Sequence, residues 1–246
     1  MLKDEVLALL KKGAGDCSGQ AMSGCLGVSR AAVWKAVEAL RQEGYTIAAV
    51  PHRGYRLEQS PDRLSAGELA DALRGRRVGS RLLCLDSVDS TNNEVKRHAV
   101  EAPDGLVILA EQQTGGRGRC GRSFVSPAGQ GLYLSALLRP ACALQEISAL
   151  TAWTAVAVCE ALEQVCGITP GIKWPNDIIL EGRKLCGILT EMELEAESGR
   201  LRHVVVGIGI NLGQTEADFG PEVAPVAISL AQTGKAPPRR AKLAEA

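Results

Sequence analysis

Residues 115 to 122 read GGRGRCGR, with glycine at Gly115, Gly116, Gly118 and Gly121 and arginine at Arg117, Arg119 and Arg122. Glycines let backbone N–H groups close on an anion, and guanidinium groups donate charge-assisted hydrogen bonds to carboxylate or phosphate oxygens. Three readings compete: a disordered nucleic-acid-binding tail, an anion-binding active-site loop, or a basic surface turn. The stretch lies between two apolar runs, LVILAEQ and GLYLSALLR, whereas a disordered tail would sit at an end. It lacks the G-K-[ST] ending of a P-loop, and GIGIN at 207–211 has too few glycines for a dinucleotide fingerprint. A loop that closes over an anionic ligand fits best.

The elements around this loop belong to a globular chain. At 246 residues with 46% hydrophobic side chains, one large domain or two modest ones can bury a core. Twenty-eight basic residues balance twenty-eight acidic ones, so attraction for phosphate has to be local rather than global. The eight cysteines form no C-x-x-C pair and follow no secretory signal, which reads as cytoplasmic thiols used for packing. The three histidines stand at no ligand-like spacing from them, so no structural metal is expected. The longest apolar segment, ISALTAWTAVAVCEALEQV, carries Ser148, Thr151, Thr154 and Glu160, too polar for a membrane span, and reads as a mostly buried helix.

Residues 1–62 predict a winged helix-turn-helix. Leu2, Val6, Leu9 and Leu10 follow helical spacing, and a second helix begins after Ser18. LGVSRAAVWKAVEALRQEGY then supplies a turn at Gly27, an N-cap at Ser29 and an apolar stripe of Val33, Ala36, Val37 and Leu40. Ala31 and Lys35, flanked by Arg30 and Trp34, occupy the other face and are the candidate DNA contacts. YTIAAV and YRLE form a hairpin wing carrying Arg53 and Arg56. Eight basic against six acidic side chains in residues 1–60 give little phosphate neutralisation, so a specific operator site would need two copies on a dimer. A scaffold or docking module without a DNA target is the alternative. The polar stretch EQSPDRLSAG places the boundary near residue 62.

From about residue 80 the pattern is α+β. RLLCLDSV, GLVILAEQ, GLYLSALLR, GIKW, DIIL, KLCGILTEMELE and RHVVVGIGINL read as strands, and STNNEVKRHAV and the long apolar segment as helices. Turns at EGR and ESG make the sheet mixed or antiparallel, which excludes a doubly wound nucleotide fold.

DSTN, EQQTGGRGRCGRSFVSPAGQGLYLS, KWPNDI, GRKLCGIL and GIGINL occur in an order and at spacings that resemble the biotin protein ligases, and the front domain resembles the branch that joins the ligase to a biotin operon repressor. The resemblance covers nearly the whole chain. It implies a class II synthetase-like ligase domain over 63–246, with biotin and ATP as substrates, Mg2+ entering only through ATP, and a biotin carboxyl carrier protein, operator DNA and a second copy of the chain as partners. It implies that Ser90, Thr91, Asn92 and Gln113 hold the biotin head group, that Arg117, Gly118 and Arg119 of the loop contact biotin and its adenylate, and that Lys184 binds biotin near the reacting carboxylate and phosphate. Lys184, Arg119 and Lys173 are then the catalytic cations, and Arg119, Arg122, Asn176 and Asn211 face the ATP. For Ser90 a plain helix N-cap is the alternative, and both can hold at once.

Two departures stand out. Phe124 replaces the family's usual tryptophan, and the sequence ends in RAKLAEA, which reads as an amphipathic helix, where the family continues into a small β-barrel-like C-terminal domain. That domain is expected to be absent or cut short. A ligand sensor without ligase activity and a lipoate ligase are the competing functions; the first would not need the lysines and arginines together, and the second should lack the arginine-glycine loop and the winged helix.

Overall fold

The computed structural model describes residues 1–13, 15–141 and 146–246. The chain divides into two compact units, Met1–Arg74 and Gly75–Ala246.

The first unit holds three helices, α1 (Leu2–Lys12), α2 (Gly19–Leu26) and α3 (Arg30–Gln42), followed by the antiparallel hairpin β1 (Thr46–Val50) and β2 (Gly54–Gln59) and the short helix α4 (Ala66–Leu69). Its core joins the stripe read on α3, Val33, Ala36, Val37 and Leu40, to Val6 and Leu10 of the spacing read on α1 and to Leu7, which that spacing missed, around Met22, Tyr45 and Ile47; Leu2 and Leu9 pack against it partly buried. Ser18 caps α2 by accepting from Ala21 N, Gly27 ends that helix in the left-handed region, and Ser29 caps α3 by accepting from Ala32 N. Ser23 donates to Val28 O at 2.5 Å and so fixes the turn between the two helices.

This unit runs past the expected boundary near residue 62. Leu64 and Leu69 are buried, Lys11 pairs with buried Glu68 at 2.8 Å, and a Cβ added at Gly67 would stand 2.7 Å from Asp4 O. Glycine therefore lets α4 lie directly on α1. The polar, proline-bearing stretch is a loop within the unit, and the division falls at Arg74/Gly75.

The second unit is a seven-stranded mixed sheet in the order β3-β4-β5-β9-β8-β7-β6. Its strands are β3 (Arg81–Leu85), β4 (Leu106–Ala110), β5 (Gly131–Leu138), β6 (Gly171–Lys173), β7 (Asp177–Leu180), β8 (Arg183–Leu194) and β9 (Leu201–Asn211). Only β3 and β4 are parallel; every other neighbouring pair is antiparallel. Strand alternation divides the sheet into two faces. Helix α5 (Thr91–His98) packs on one through Val95 and its C-cap residue Ala99, against Ile108, Leu137 and Val205. Helix α6 (Ile147–Cys166) covers the other, where Thr151 and Thr190 hydroxyls meet at 2.8 Å. Two further helices, α7 (Glu216–Phe219) and α8 (Arg240–Glu245), follow β9. The expectation of a mostly buried α6 needs correcting: Ala155, Val158 and Leu162 face inward, but Trp153 is 67% exposed. A helix laid on one face of a sheet buries a stripe, not its circumference. Among the described residues no helix is long and apolar enough to cross a membrane.

Candidate functional site

The candidate active site opens on the α5 face of the sheet, in a cavity that communicates with solvent. Its floor is glycine. Gly187 of β8 stands opposite Gly209 of β9, and Leu189 opposite Gly207. A Cβ at Gly209 would lie 2.6 Å from the Phe124 ring, one at Gly187 would lie 3.0 Å from Lys184 Nζ, and one at Gly207 would collide with Asn92 Oδ1. Each glycine makes room for a side chain that walls the cavity.

One end is polar and rigid. Ser90 occupies the N-cap position of α5, yet its side chain makes no capping hydrogen bond. Gln113 does that work: its Oε1 accepts from Thr91 N at 2.9 Å and from Thr91 Oγ1 at 3.1 Å, while its Nε2 donates to Ser126 at 2.9 Å. The Ser90 hydroxyl, at 2% residue exposure, is left to face the cavity. Asn92 is fully engaged, donating to Leu189 O at 3.2 Å and Glu191 Oε2 at 2.8 Å, with Oδ1 2.5 Å from Ser135 Oγ. It braces this corner, with no donor to spare.

The other end is cationic. Lys184 Nζ is 2.7 Å from Asp177 Oδ1 and lies 6.0 Å over the Phe124 ring. Its backbone is clamped by Val226 O and Ile228 N at 2.8 and 2.9 Å. Arg119 donates to Asn176 Oδ1 at 3.0 Å, and Asn176 is itself tied to Ile188 O and Asp177. The loop from Gly115 to Arg122 joins the two ends, with Arg117 held by Asn93 and Glu191 and a tight turn at Cys120 (φ 55°) and Gly121 (φ 73°).

Ser90, Thr91, Asn92, Gln113, Arg117, Gly118, Arg119, Asn176 and Lys184, all singled out in the sequence, line this one cavity. Three others do not. Asn211 is buried, and its amide donates to Lys184 O and Ile228 O, so it supports the Lys184 strand instead of facing a ligand. Arg122 points to solvent at the loop's end. Lys173 is exposed on the edge strand β6, but register carries it in one row with Asp177, Gly187 and Gly209, hence on the cavity face. The glycine floor, Ser135, Asp177 and Glu191 escaped the sequence reading. Glycines two apart at 207 and 209, inside an otherwise β-branched strand, were the available signal for a close approach.

The first unit presents a second surface. Arg30, Ala31 and Trp34 of α3, with His52 and Arg53 of the wing, line a groove, and Lys35 is exposed beside them. Asp16 pairs with both wing arginines, Arg53 at 3.3 Å and Arg56 at 2.7 Å. Gly54 must be glycine, since a Cβ there would strike the Cys17 backbone.

The model of the biotin/lipoate A/B protein ligase family matches residues 84–211, which contain every lining residue of the cavity. The chain belongs to that family. An HTH domain model matches residues 3–56. Among curated relatives of the ligase family, the bifunctional ligase/repressor BirA of Bacillus spizizenii is 43% identical over 231 residues, covering 94% of this chain and 70% of the relative. BirA of Escherichia coli is 35% identical over 218 residues, covering 87% and 64%. Among solved structures, the Aquifex aeolicus biotin protein ligase in complex with biotin and ATP is 35% identical, with a TM-score of 0.56 over 68% of this chain and 66% of that one.

Proposed function

We propose that the chain is a biotin protein ligase that is also a biotin-responsive DNA-binding repressor. The observation that carries this reading is the convergence, on one glycine-floored cavity, of a neutral hydrogen-bonding corner at Ser90, Thr91 and Gln113 and a cationic end at Arg119 and Lys184. The first suits a polar, uncharged head group; the second suits a carboxylate meeting a phosphate.

Biotin's carboxylate oxygen attacks the α-phosphorus of ATP, the bond to the β-phosphate oxygen breaks, and pyrophosphate leaves. A lysine amine of a carrier protein then attacks the acyl carbon, forming an amide and releasing AMP and a proton. Neither step needs an enzyme nucleophile. Lys184 and Arg119 stabilise charge redistributed around the phosphorus, Lys173 adds a third cation at the edge of the same face, and Asp177 holds the Lys184 ammonium in place. The Gly115–Arg122 loop covers the mixed anhydride and keeps water from it. Mg2+ carried in with ATP would supply charge neutralisation at its phosphates, beside Asn176 and the cations of this end. The acceptor is a biotin carboxyl carrier protein, and α3 with its wing reads operator DNA as a dimer. None of the seven described cysteines is in a disulfide, in keeping with a cytoplasmic location.

Incubating the chain with a purified carrier domain, Mg-ATP and either biotin or lipoate, then weighing the carrier, tests the assignment. Addition of one biotin, dependent on ATP, is expected; transfer of lipoate instead of biotin would overturn it.

A further inference from the structure

Glu191 is the carboxylate at which the polar corner and the arginine-glycine loop meet. It stands on β8 opposite Val205, in the same alternating row as Gly187 and Leu189, with 18% of its side chain exposed. Its Oε2 accepts from Asn92 Nδ2 at 2.8 Å; its Oε1 accepts from Lys96 Nζ at 2.7 Å and from Arg117 Nη2 at 3.1 Å. Arg117 is held a second time, by Asn93 Oδ1 at 2.7 Å. Asn93 in turn donates to Asp89, which is locked by Arg97 through both oxygens at 2.8 Å. Burial works against the Glu191 charge, but Lys96, Asn92 and Arg117 outweigh it and hold the carboxyl below the usual glutamate range.

The far end of the loop is closed on itself by backbone hydrogen bonds, Gly118 N–H to Arg122 O at 2.7 Å and Arg122 N–H to Arg119 O at 3.2 Å, but among the described residues its side chains have no such anchor. Arg119 reaches one neutral acceptor, Asn176 Oδ1, and the Arg122 guanidinium makes no hydrogen bond or ion pair among the described residues. Charge-assisted hydrogen bonds are about twice as strong as neutral ones. The two halves of one basic loop are therefore held very differently.

We infer that Glu191 is a positioning residue that fixes the root of the Gly115–Arg122 loop to the Asn92 corner through Arg117, leaving the Arg119 and Arg122 side chains without a charged partner among the described residues. The loop then closes as a hinged flap and not as a floppy strand: its root is set before any ligand arrives, and only the tip has to order. This deepens the ligase reading, on which it rests for the identity of the ligand the flap covers.

Limited trypsin digestion of the ligand-free full chain, followed by peptide mass, reads the anchoring directly, because the enzyme cuts after arginine. In the parent, initial cleavage after Arg119 and Arg122 should outrun cleavage after Arg117. Glu191→Gln keeps the size of the side chain but removes its charge, and should raise cleavage after Arg117 roughly three- to tenfold while leaving that after Arg122 unchanged. Asn93→Ala removes the other anchor without touching Glu191 and should do the same, which preserves the test if Glu191→Gln does not fold. Lys96→Met, which shares the Glu191 oxygen but not the loop, should leave Arg117 protected. A general loosening would raise all three cleavages together, and that result, or equal cleavage after Arg117 in the parent and both anchor variants, would overturn the inference. No ligand is present in the digestion, so it stands or falls apart from the ligase assignment.

Discussion

At the scale of single residues, the cavity depends on side chains that are absent as much as on those present. Gly209 has no Cβ because the Phe124 ring occupies that space, and Phe124 in turn lies beneath Lys184. Gly209→Ala should push the ring toward Lys184 and cost about 1–3 kcal/mol of stability. Thermal melts and biotin titration check this; a variant with parental melting and affinity would show that the floor is not tight. The corner residues were legible because STN and Gln113 sit in ordered motifs, but their division of labour was not. Whether Ser90 or Gln113 serves the start of α5 depends on a contact spanning 22 positions, which no local pattern encodes. Asn211 misled for a similar reason: its neighbours Lys184 and Ile228 come from distant segments.

At the scale of elements, apolar runs bounded by turns located the seven strands, among them β4, which is buried along its whole length, and helical spacing and caps located the three helices of the first unit. Spacing failed at α4, a single turn too short to show a period, whose burial depends on Gly67 meeting α1. The exposed edge of α3 supports a separable DNA function. Replacing both Arg30 and Lys35 by Ala should weaken operator binding by about 1–3 kcal/mol for each base-reading contact while leaving biotin activation intact. A gel-shift titration beside an adenylation assay separates the two, and loss of both activities would argue against independent units. On β9, His203 is 3% exposed, with Nδ1 unpartnered and Nε2 3.5 Å from Glu193. Burial first, then the nearby Arg139, Arg202 and Lys96, depress its pKa below 6.5 against the pull of Glu193. Between the unfolded and folded values the unfolded chain holds more protons, so the histidine's contribution is full above the unfolded pKa and is lost as pH falls through the folded one. The melting temperature of the parent should therefore drop more steeply than that of His203→Gln between about pH 7 and about pH 5. Parallel curves would contradict this.

At the scale of the whole molecule, a net charge of zero hides two local arrangements of opposite purpose. In the first unit Asp16 offsets the wing arginines and keeps the surface formed by α3 and the wing mildly charged. In the second, Arg119 and Lys184 face one cavity with Asp177 as the nearest counterion. Composition could not reveal this, because the sum is blind to placement; the arginine-glycine loop could, because its position between two strands fixed where its charge must go. We propose that these cations stabilise the transition state in which the adenylyl group passes to the carboxylate. This is tested most directly by measuring biotin-dependent pyrophosphate release and biotinyl-5'-AMP mass for the parent and Lys184→Ala, with biotin affinity measured alongside. The expected result is adenylate from the parent, a rate lower by about 10²- to 10³-fold in the variant, and a much smaller loss of affinity for biotin alone. A parent that releases no pyrophosphate on adding biotin, or a variant whose loss of rate is matched by its loss of biotin affinity, would contradict it.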